Sequence, residues 1–386
     1  MNYIALRMLI GDRAKYLGII MGITFASLLI TQQAAIFTGL MTRTYGAISD
    51  LGIAEVWVVD PKVQFIDDIK PIADTQLLRV RGVSGVDWAM PLYKGLLKAR
   101  LVNGNFQTVN VIGLDDATLM GGPPEMIEGR LADLRRSDGV IVDLYGATDK
   151  LAGPPAFEGG PPVPLAVGDT LEINDRRAIV VGISRNTRTF QSQPVVYTTY
   201  QRAVAFAPPE RRQLSAVLVK AEAGEDALAL CERIEKLTGL AAYTSEEFKT
   251  LTVGYFLKHT GIPINFGIAI VLGFIVGTAV AGQTFYNFTL DNLRQFGALK
   301  AMGTQNGTLL RMILLQAVLV GFIGYGLGVG AASMIGYVSE GSELAFRMPW
   351  QLLVLSGSAV AMICVLAALL SILKVVRLEP AIVFKG

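Results

Sequence analysis

Side chains able to do chemistry are few in this chain, and their spacing suits structure better than catalysis. Adjacent carboxylates occur at Asp67/Asp68, Asp115/Asp116 and Glu246/Glu247. To act as a general acid, one member of such a pair must be held neutral by burial or by its neighbour's charge. On a domain surface such pairs are ordinarily just solvated. The single histidine, His259, cannot build a zinc site with other His ligands or fill several catalytic roles. Of the two cysteines, Cys231 lies in a polar region and Cys364 in an apolar run, so no disulfide between them is expected. The sequence contains no G-x-x-x-x-G-K-[ST], G-x-S-x-G or C-x-x-C. The expectation is a chain with no catalytic residues, no metal site and no cofactor of its own.

The elements that would carry these residues divide by charge. Only 17% of the 386 residues are charged and 52% are hydrophobic, where soluble domains carry about 25% charged residues. The deficit is local, because residues 43–258 hold 24 of the 34 Lys/Arg and 27 of the 32 Asp/Glu. A normally charged middle is therefore flanked by charge-poor ends. A net charge of +2 gives no clustered basic face for nucleic acid.

The runs 16–42, 260–290, 312–338 and 348–373 lack Asp, Glu, Lys, Arg and His. Each exceeds the roughly 20 apolar residues that cross a bilayer as a helix, the one open structure that satisfies its own backbone there. The first run is too long for a secretory signal, and it continues through Thr31, Gln32 and Gln33 into a second apolar patch at 34–40. Lys and Arg near the helix ends set the orientation. They fall at Arg7, Arg13 and Lys15, at Arg294, Lys300 and Arg311, and at Lys374, Arg377 and Lys385. The 339–347 loop carries Glu340, Glu343 and Arg347. Both termini and the 291–311 loop are therefore expected in the cytoplasm, with 43–258 and 339–347 outside. Residues 1–15 read as an interfacial amphipathic helix with Tyr3, Leu6, Leu9 and Ile10 on its apolar side and Arg13 intruding on it. Glycine pairs at four-residue spacing, Gly18/Gly22, Gly273/Gly277, Gly324/Gly328 and Gly326/Gly330, suit close helix packing or a homodimer seam. No span contains a charged residue, which argues against an ion-coupled carrier and for helices that move as bodies.

The middle region reads as α+β. Strands are expected at 54–60, 86–93, 95–102, 106–114, 140–144, 169–174, 177–183, 194–200, 215–220 and 241–245, with Asn103-Gly104 as a hairpin turn and an amphipathic helix at 226–237. The run GPPAFEGGPPVP at 153–164 can only be a surface loop.

After the second run the sequence reads DNLRQFGALKAMGTQNG. A short helix is expected at 292–302, ended by Gly303 in a left-handed conformation. Leu293, Phe296, Leu299 and Met302 step by three and so wind around it, able to serve both a bundle-facing and a partner-facing contact. The stretch Arg294-Gln295-Phe296-Gly297-Ala298-Leu299-Lys300-Ala301-Met302-Gly303 resembles the cytoplasmic motif of FtsX/MacB-type (type VII) ABC transporter permeases, which typically reads R-E-[IV]-G-[IL]-[LM]-[KR]-A-[LM]-G. It departs at Gln295, where the family has Glu, and at Phe296. The DevC-like exporter branch is the nearest match. Gly113-Leu114-Asp115, Glu128-Gly129-Arg130, Val140-Ile141-Val142-Asp143, Val167-Gly168-Asp169 and Val180-Val181-Gly182-Ile183 resemble, in order, the family's MacB-like periplasmic domain, and Arg377-Leu378-Glu379-Pro380-Ala381 its C-terminal ending.

The resemblance implies an α-helical membrane protein with four transmembrane helices and a large α+β extracytoplasmic domain between helices 1 and 2. Its parts are a cytoplasmic helix (1–15), helix 1 with its stalk (16–42), the periplasmic domain (43–258), helix 2 (260–290), the coupling loop (291–311), helix 3 (312–338), a periplasmic loop (339–347), helix 4 (348–373) and a cytoplasmic tail (374–386). It implies a non-catalytic inner-membrane subunit of an exporter. A separate cytoplasmic ATPase, holding the ATP and Mg, would dock on Leu293, Arg294, Gln295, Phe296, Gly297, Leu299, Lys300, Met302 and Gly303. Two permeases would pair with two ATPases, with a periplasmic adaptor and an outer-membrane channel as further partners and a lipid-like, glycolipid or peptide cargo. The alternative is an FtsX-like transducer that regulates a periplasmic cell-wall hydrolase and moves no cargo.

Overall fold

The computed structural model describes residues 2–339 and 342–376. Glu340, Arg377, Lys385 and the Arg377–Ala381 ending lie outside the described residues. The chain forms two compact units, one from residues 1–40 and 261–386 and the other from residues 41–260.

Along the chain, α1 is Asn2–Gly11, α2 Arg13–Thr44, α3 Gly46–Asp50, β1 Val56–Val59, α4 Thr75–Arg81, β2 Val86–Arg100, β3 Phe106–Leu114, β4 Glu125–Gly129 and β5 Gly139–Asp143. There follow β6 Thr170–Ile173, β7 Arg176–Arg185, β8 Val195–Thr199, α5 Tyr200–Phe206, β9 Ala216–Ala221, α6 Ala227–Thr238, β10 Ala241–Thr244 and α7 Ser245–His259. The last elements are α8 Ile262–Asp291, α9 Leu293–Ala301, α10 Asn306–Val338 and α11 Trp350–Val376.

In the first unit α2, α8, α10 and α11 are each long and apolar enough to cross a membrane. Their shared core joins Ile19, Ile23, Ala26 and Ile30 of α2 to Phe285 and Phe288 of α8, Met312 and Val320 of α10, and Ile363 and Ala367 of α11. The large apolar side chains left outside, such as Val271 and Ile275 of α8, Phe322 of α10 and Leu369 of α11, are exposed. That distribution suits helices solvated by hydrocarbon. The short helix α1 packs part of its apolar side on the bundle and leaves the rest open. It buries Ala5, Met8 and Leu9 while Tyr3 and Ile10 stay exposed. The reason is α10: Gln316, fully buried, donates from Nε2 to the Ala5 carbonyl at 2.7 Å, which fixes which side of α1 faces inward.

In the second unit the sheet runs β10-β1-β9-β2-β3-β8-β5-β7-β4. Strand β6 pairs with both β2 and β7, so β2, β3, β8, β5, β7 and β6 close into a ring. Its interior is apolar, built from Leu97, Val109, Val111, Val140, Val142, Val180 and Val196. The β10-β1-β9 extension carries α4 and α6 over Val56, Val58, Val217 and Val219. On the other side Trp57, Leu92, Ile112, Leu218 and Phe248 form a further core. The two strands expected at 86–93 and 95–102 are one 15-residue strand. Its first half pairs with β9 and its second with β3, so the chain passes between two sheet regions without a break. The expected hairpin turn is present, with Gly104 at φ +83°. Helix α6 is capped as its sequence demands: Asp226 accepts from the Leu228 N–H, and Gly239 closes the far end at φ +74°.

Candidate functional site: the α9 helix and the glycine seams

Helix α9 follows α8 with one residue between them. That residue, Asn292, is buried and donates from Nδ2 to the Phe288 carbonyl at 2.8 Å, covering an end carbonyl of α8. At the other end Met302 is the C-cap. Gly303 takes φ +91°, its N–H bonds the Lys300 carbonyl at 3.0 Å, and the Thr304 N–H bonds the Leu299 carbonyl at 3.0 Å. This pair of bonds is the Schellman motif, and the positive φ is why glycine stands there.

The structure divides the sequence-derived docking residues between two faces. Phe296 and Leu299 are buried in the helical core with Phe288 and Leu309, Leu293 packs against them, and Gly297 is buried beside them. Arg294, Gln295 and Gly303 are exposed, as is Met302 at 74%, and Lys300 is half-buried. Leu299 therefore seats the helix, and the face open to a partner runs through Arg294, Gln295, Ala301 and Met302. The family's carboxylate position, held here by Gln295, lies on that open face.

The glycines also sort by geometry. A Cβ on Gly22 would stand 2.7 Å from Val280 Cγ1, one on Gly277 2.3 Å from Ala26 Cβ, and one on Gly324 2.7 Å from Ile23 Cγ2. One on Gly328 would stand 2.5 Å from Ser27 Cβ and 2.8 Å from the Thr24 carbonyl. These four fix α2 against α8 and α10 at a separation no side chain permits. Gly18 and Gly273 meet α8 and α2 at 3.7 and 3.4 Å, ordinary contact. Gly326 and Gly330 meet nothing within 4 Å. Between α10 and α11 an apolar cleft of about 260 Å³ is lined by Val318, Gly321, Phe322, Gly357, Val360 and Cys364, with no charged group.

In the strand-rich unit the carboxylate pairs all do structural work. Asp67 pairs with the buried Lys94, and Asp115 accepts from Thr118 N at 2.9 Å. Asp116 accepts from Gln201 N at 3.3 Å. Glu247 closes a capping box with Thr244 at the start of α7, and Glu246 pairs with Lys249 at 2.8 Å. His259 is exposed and stacks on Tyr255 at 4.9 Å. Both cysteines are free and buried, and burial pushes the Cys231 thiol up to about 12. The group that sequence reading did not single out for its chemistry is Asp143. It is 6% exposed, accepts from the Val195 N–H at 2.7 Å, and burial pushes its carboxyl up to about 6. Nearby Asp50 accepts from Thr187 N and Oγ1 at 2.9 and 2.8 Å. The two carboxylates hold opposite ends of the 187–195 segment, Asp50 through Thr187 and Asp143 through Val195. Among the described residues no three His, Cys, Asp or Glu side chains are grouped to hold a metal ion.

Four membrane-length helices, a short capped helix between the second and third, and a ring-closed α+β unit describe a membrane protein with a large folded domain. Comparison with known proteins agrees. Residues 16–237 match the MacB-like periplasmic core domain and residues 267–380 the FtsX-like permease C-terminal region. The first match covers more than half of the chain, which belongs to the FtsX/MacB-type family of ABC transporter permeases. An uncharacterized ABC transporter permease of Mycobacterium tuberculosis is 24% identical over 384 residues, covering 96% of this chain and 93% of that one. Another, from Mycobacterium bovis, is 22% identical over 259 residues, covering 64% and 69%. Among solved structures, the periplasmic region of MacB from Actinobacillus actinomycetemcomitans aligns with a TM-score of 0.37 at 18% identity, covering 55% of this chain and 96% of that one. The extracellular domain of the noncanonic ABC-type transporter YknZ from Gram-positive bacteria aligns at 0.35 and 14%, covering 50% and 98%. Membership of the family implies a partner ATPase.

Proposed function

We propose that the chain is the permease subunit of an exporter in which a separate cytoplasmic ATPase, carrying the ATP and Mg, docks on α9. Its motion passes through α2 and α8 to the 41–260 domain, which lies outside the cytoplasmic membrane between the first and second spans. In this reading both termini are cytoplasmic and two copies of the chain pair with two ATPases. The domain works with a periplasmic adaptor and an outer-membrane channel to extract or export a lipid-like, glycolipid or peptide cargo. The observation that carries the reading is the construction of α9: a short helix seated by Phe296 and Leu299, closed by a Schellman motif, with Arg294, Gln295 and Met302 left open. Helix α2 supports it independently. Its 32 residues at about 1.5 Å each exceed the roughly 30 Å hydrocarbon core, leaving turns to act as a stalk.

A second reading, a transducer that switches a cell-wall hydrolase and moves no cargo, is favoured by the charge-free spans. One experiment separates the two. The full chain is used as bait from detergent-solubilised native membranes and its partners are identified by mass spectrometry. An ATPase with an adaptor supports export, and an ATPase with a hydrolase supports transduction. Recovery of neither, under conditions that hold another permease and ATPase together, overturns both.

A further inference from the structure

We propose that Asp12, Lys15 and Asp291 form an ionic clasp that ties the α9-bearing end of α8 to the start of α2, making Lys15 and Asp291 positioning residues for force transmission. This rests on the permease reading above. Lys15 Nζ lies 2.9 Å from Asp12 Oδ2 and also pairs with Asp291, which is 276 residues away in sequence. Asp291 is the last residue of α8, one position before the buried Asn292 that leads into α9.

The placement of these charges is informative. Lys15 is the third residue of α2, where the helix end is partially positive, and Asp291 closes α8, where the end is partially negative. Each charge is therefore unfavourable on its own helix. Each becomes favourable when the two ends lie together, because Lys15 then meets the negative end of α8 and Asp291 the positive end of α2. Separating the ends loses the Lys15–Asp291 pair and restores the mismatch at Asp291, while Asp12 still offsets Lys15 on its own helix start. The side chains remain 34% and 53% exposed, so the pair is weak enough to open and reclose. The α2–α8 seam begins just beyond it, at Gly18 against Thr284 and Gly22 against Val280. An opening of the clasp therefore frees the cytoplasmic start of that seam, while α9 stays attached to α8 through Asn292.

The test uses the full chain in native membranes, with Cys231→Ser and Cys364→Ala to remove the native thiols. Gly18→Cys with Thr284→Cys reports the seam, since a Cβ at position 18 stands 3.7 Å from Thr284 Cγ2. Cross-linking by a short bismaleimide is expected to fall by about threefold to fivefold in Lys15→Asp or Asp291→Lys and to recover in part in the double exchange, which restores the ion pair but not the favourable helix-end contacts. ATP turnover of the complex should follow the same pattern while the amount of co-purified ATPase stays constant. Unchanged cross-linking in the single variants, or no recovery in the double exchange, overturns the clasp. Cross-linking that responds while turnover does not, or loss of the ATPase from Lys15→Asp, overturns the positioning role. An unaltered chain that brings down no ATPase would instead count against the permease reading, and the cross-linking result would still decide the clasp.

Discussion

Asp143 and Gly328 each carry a prediction at the scale of a single side chain. Asp143 titrates near 6 because burial penalises its charge, whereas the unfolded side chain titrates near its ordinary value of 3.8. A carboxyl with a raised folded pKa gives stability that is fully present below the unfolded value and lost as pH rises through the folded one. Between about pH 4 and pH 6 this group should therefore oppose the usual gain of stability with rising pH, by up to about 3 kcal/mol. Asp143→Asn should flatten that part of the profile, read from melting temperatures at a series of pH values. Gly328 makes the other case. Enlarging it to Val forces a Cβ against Ser27 and the Thr24 carbonyl, at a cost of about 1–3 kcal/mol. Gly330→Val meets open space and should leave the melting temperature of the detergent-solubilised protein unchanged.

At the scale of elements, α9 separates seating from docking. Leu299→Ala removes a buried side chain and should destabilise the helical unit by about 2–4 kcal/mol. Met302→Asp changes an exposed one and should leave the melting temperature intact while cutting co-purified ATPase by about tenfold. Equal losses of stability in both variants would contradict this division. How much of this was legible in the sequence depended on how local each cause was. The end of α9 could be read from Gly303, and the start of strand β3 from the Asn103-Gly104 turn before it. Helix α7 was missed although Thr244-x-x-Glu247 is a capping box and Phe248, Thr252 and Phe256 repeat at helical spacing. The adjacent acids at 246–247 sit in the first turn of that helix, where its end is partially positive. The continuity of β2 had no local signal, because Lys94 is held on one side by Ile112 of β3 and on the other by the Ser215 hydroxyl, 121 residues further along the chain. The buried face of α1 was illegible for the same reason, being chosen by Gln316 of α10.

For the whole molecule, four charge-free runs were sufficient to identify the membrane-length helices, because hydrocarbon penalises charged side chains along a span. The ring closure of the 41–260 unit was not legible, because it depends on β6 pairing with β2 some 70 residues earlier. The chain is thus built from a membrane unit with little chemistry and a domain whose acids and cations are largely spent on structure. That arrangement suits a part moved by another protein. The most direct measurement places a photo-activatable amino acid at position 302 in living cells, with Phe322 on the apolar face of α10 as the control position. An adduct with a P-loop ATPase from position 302 and none from position 322 is the expected result. No ATPase adduct from position 302, or equal adducts from both, would contradict docking on α9.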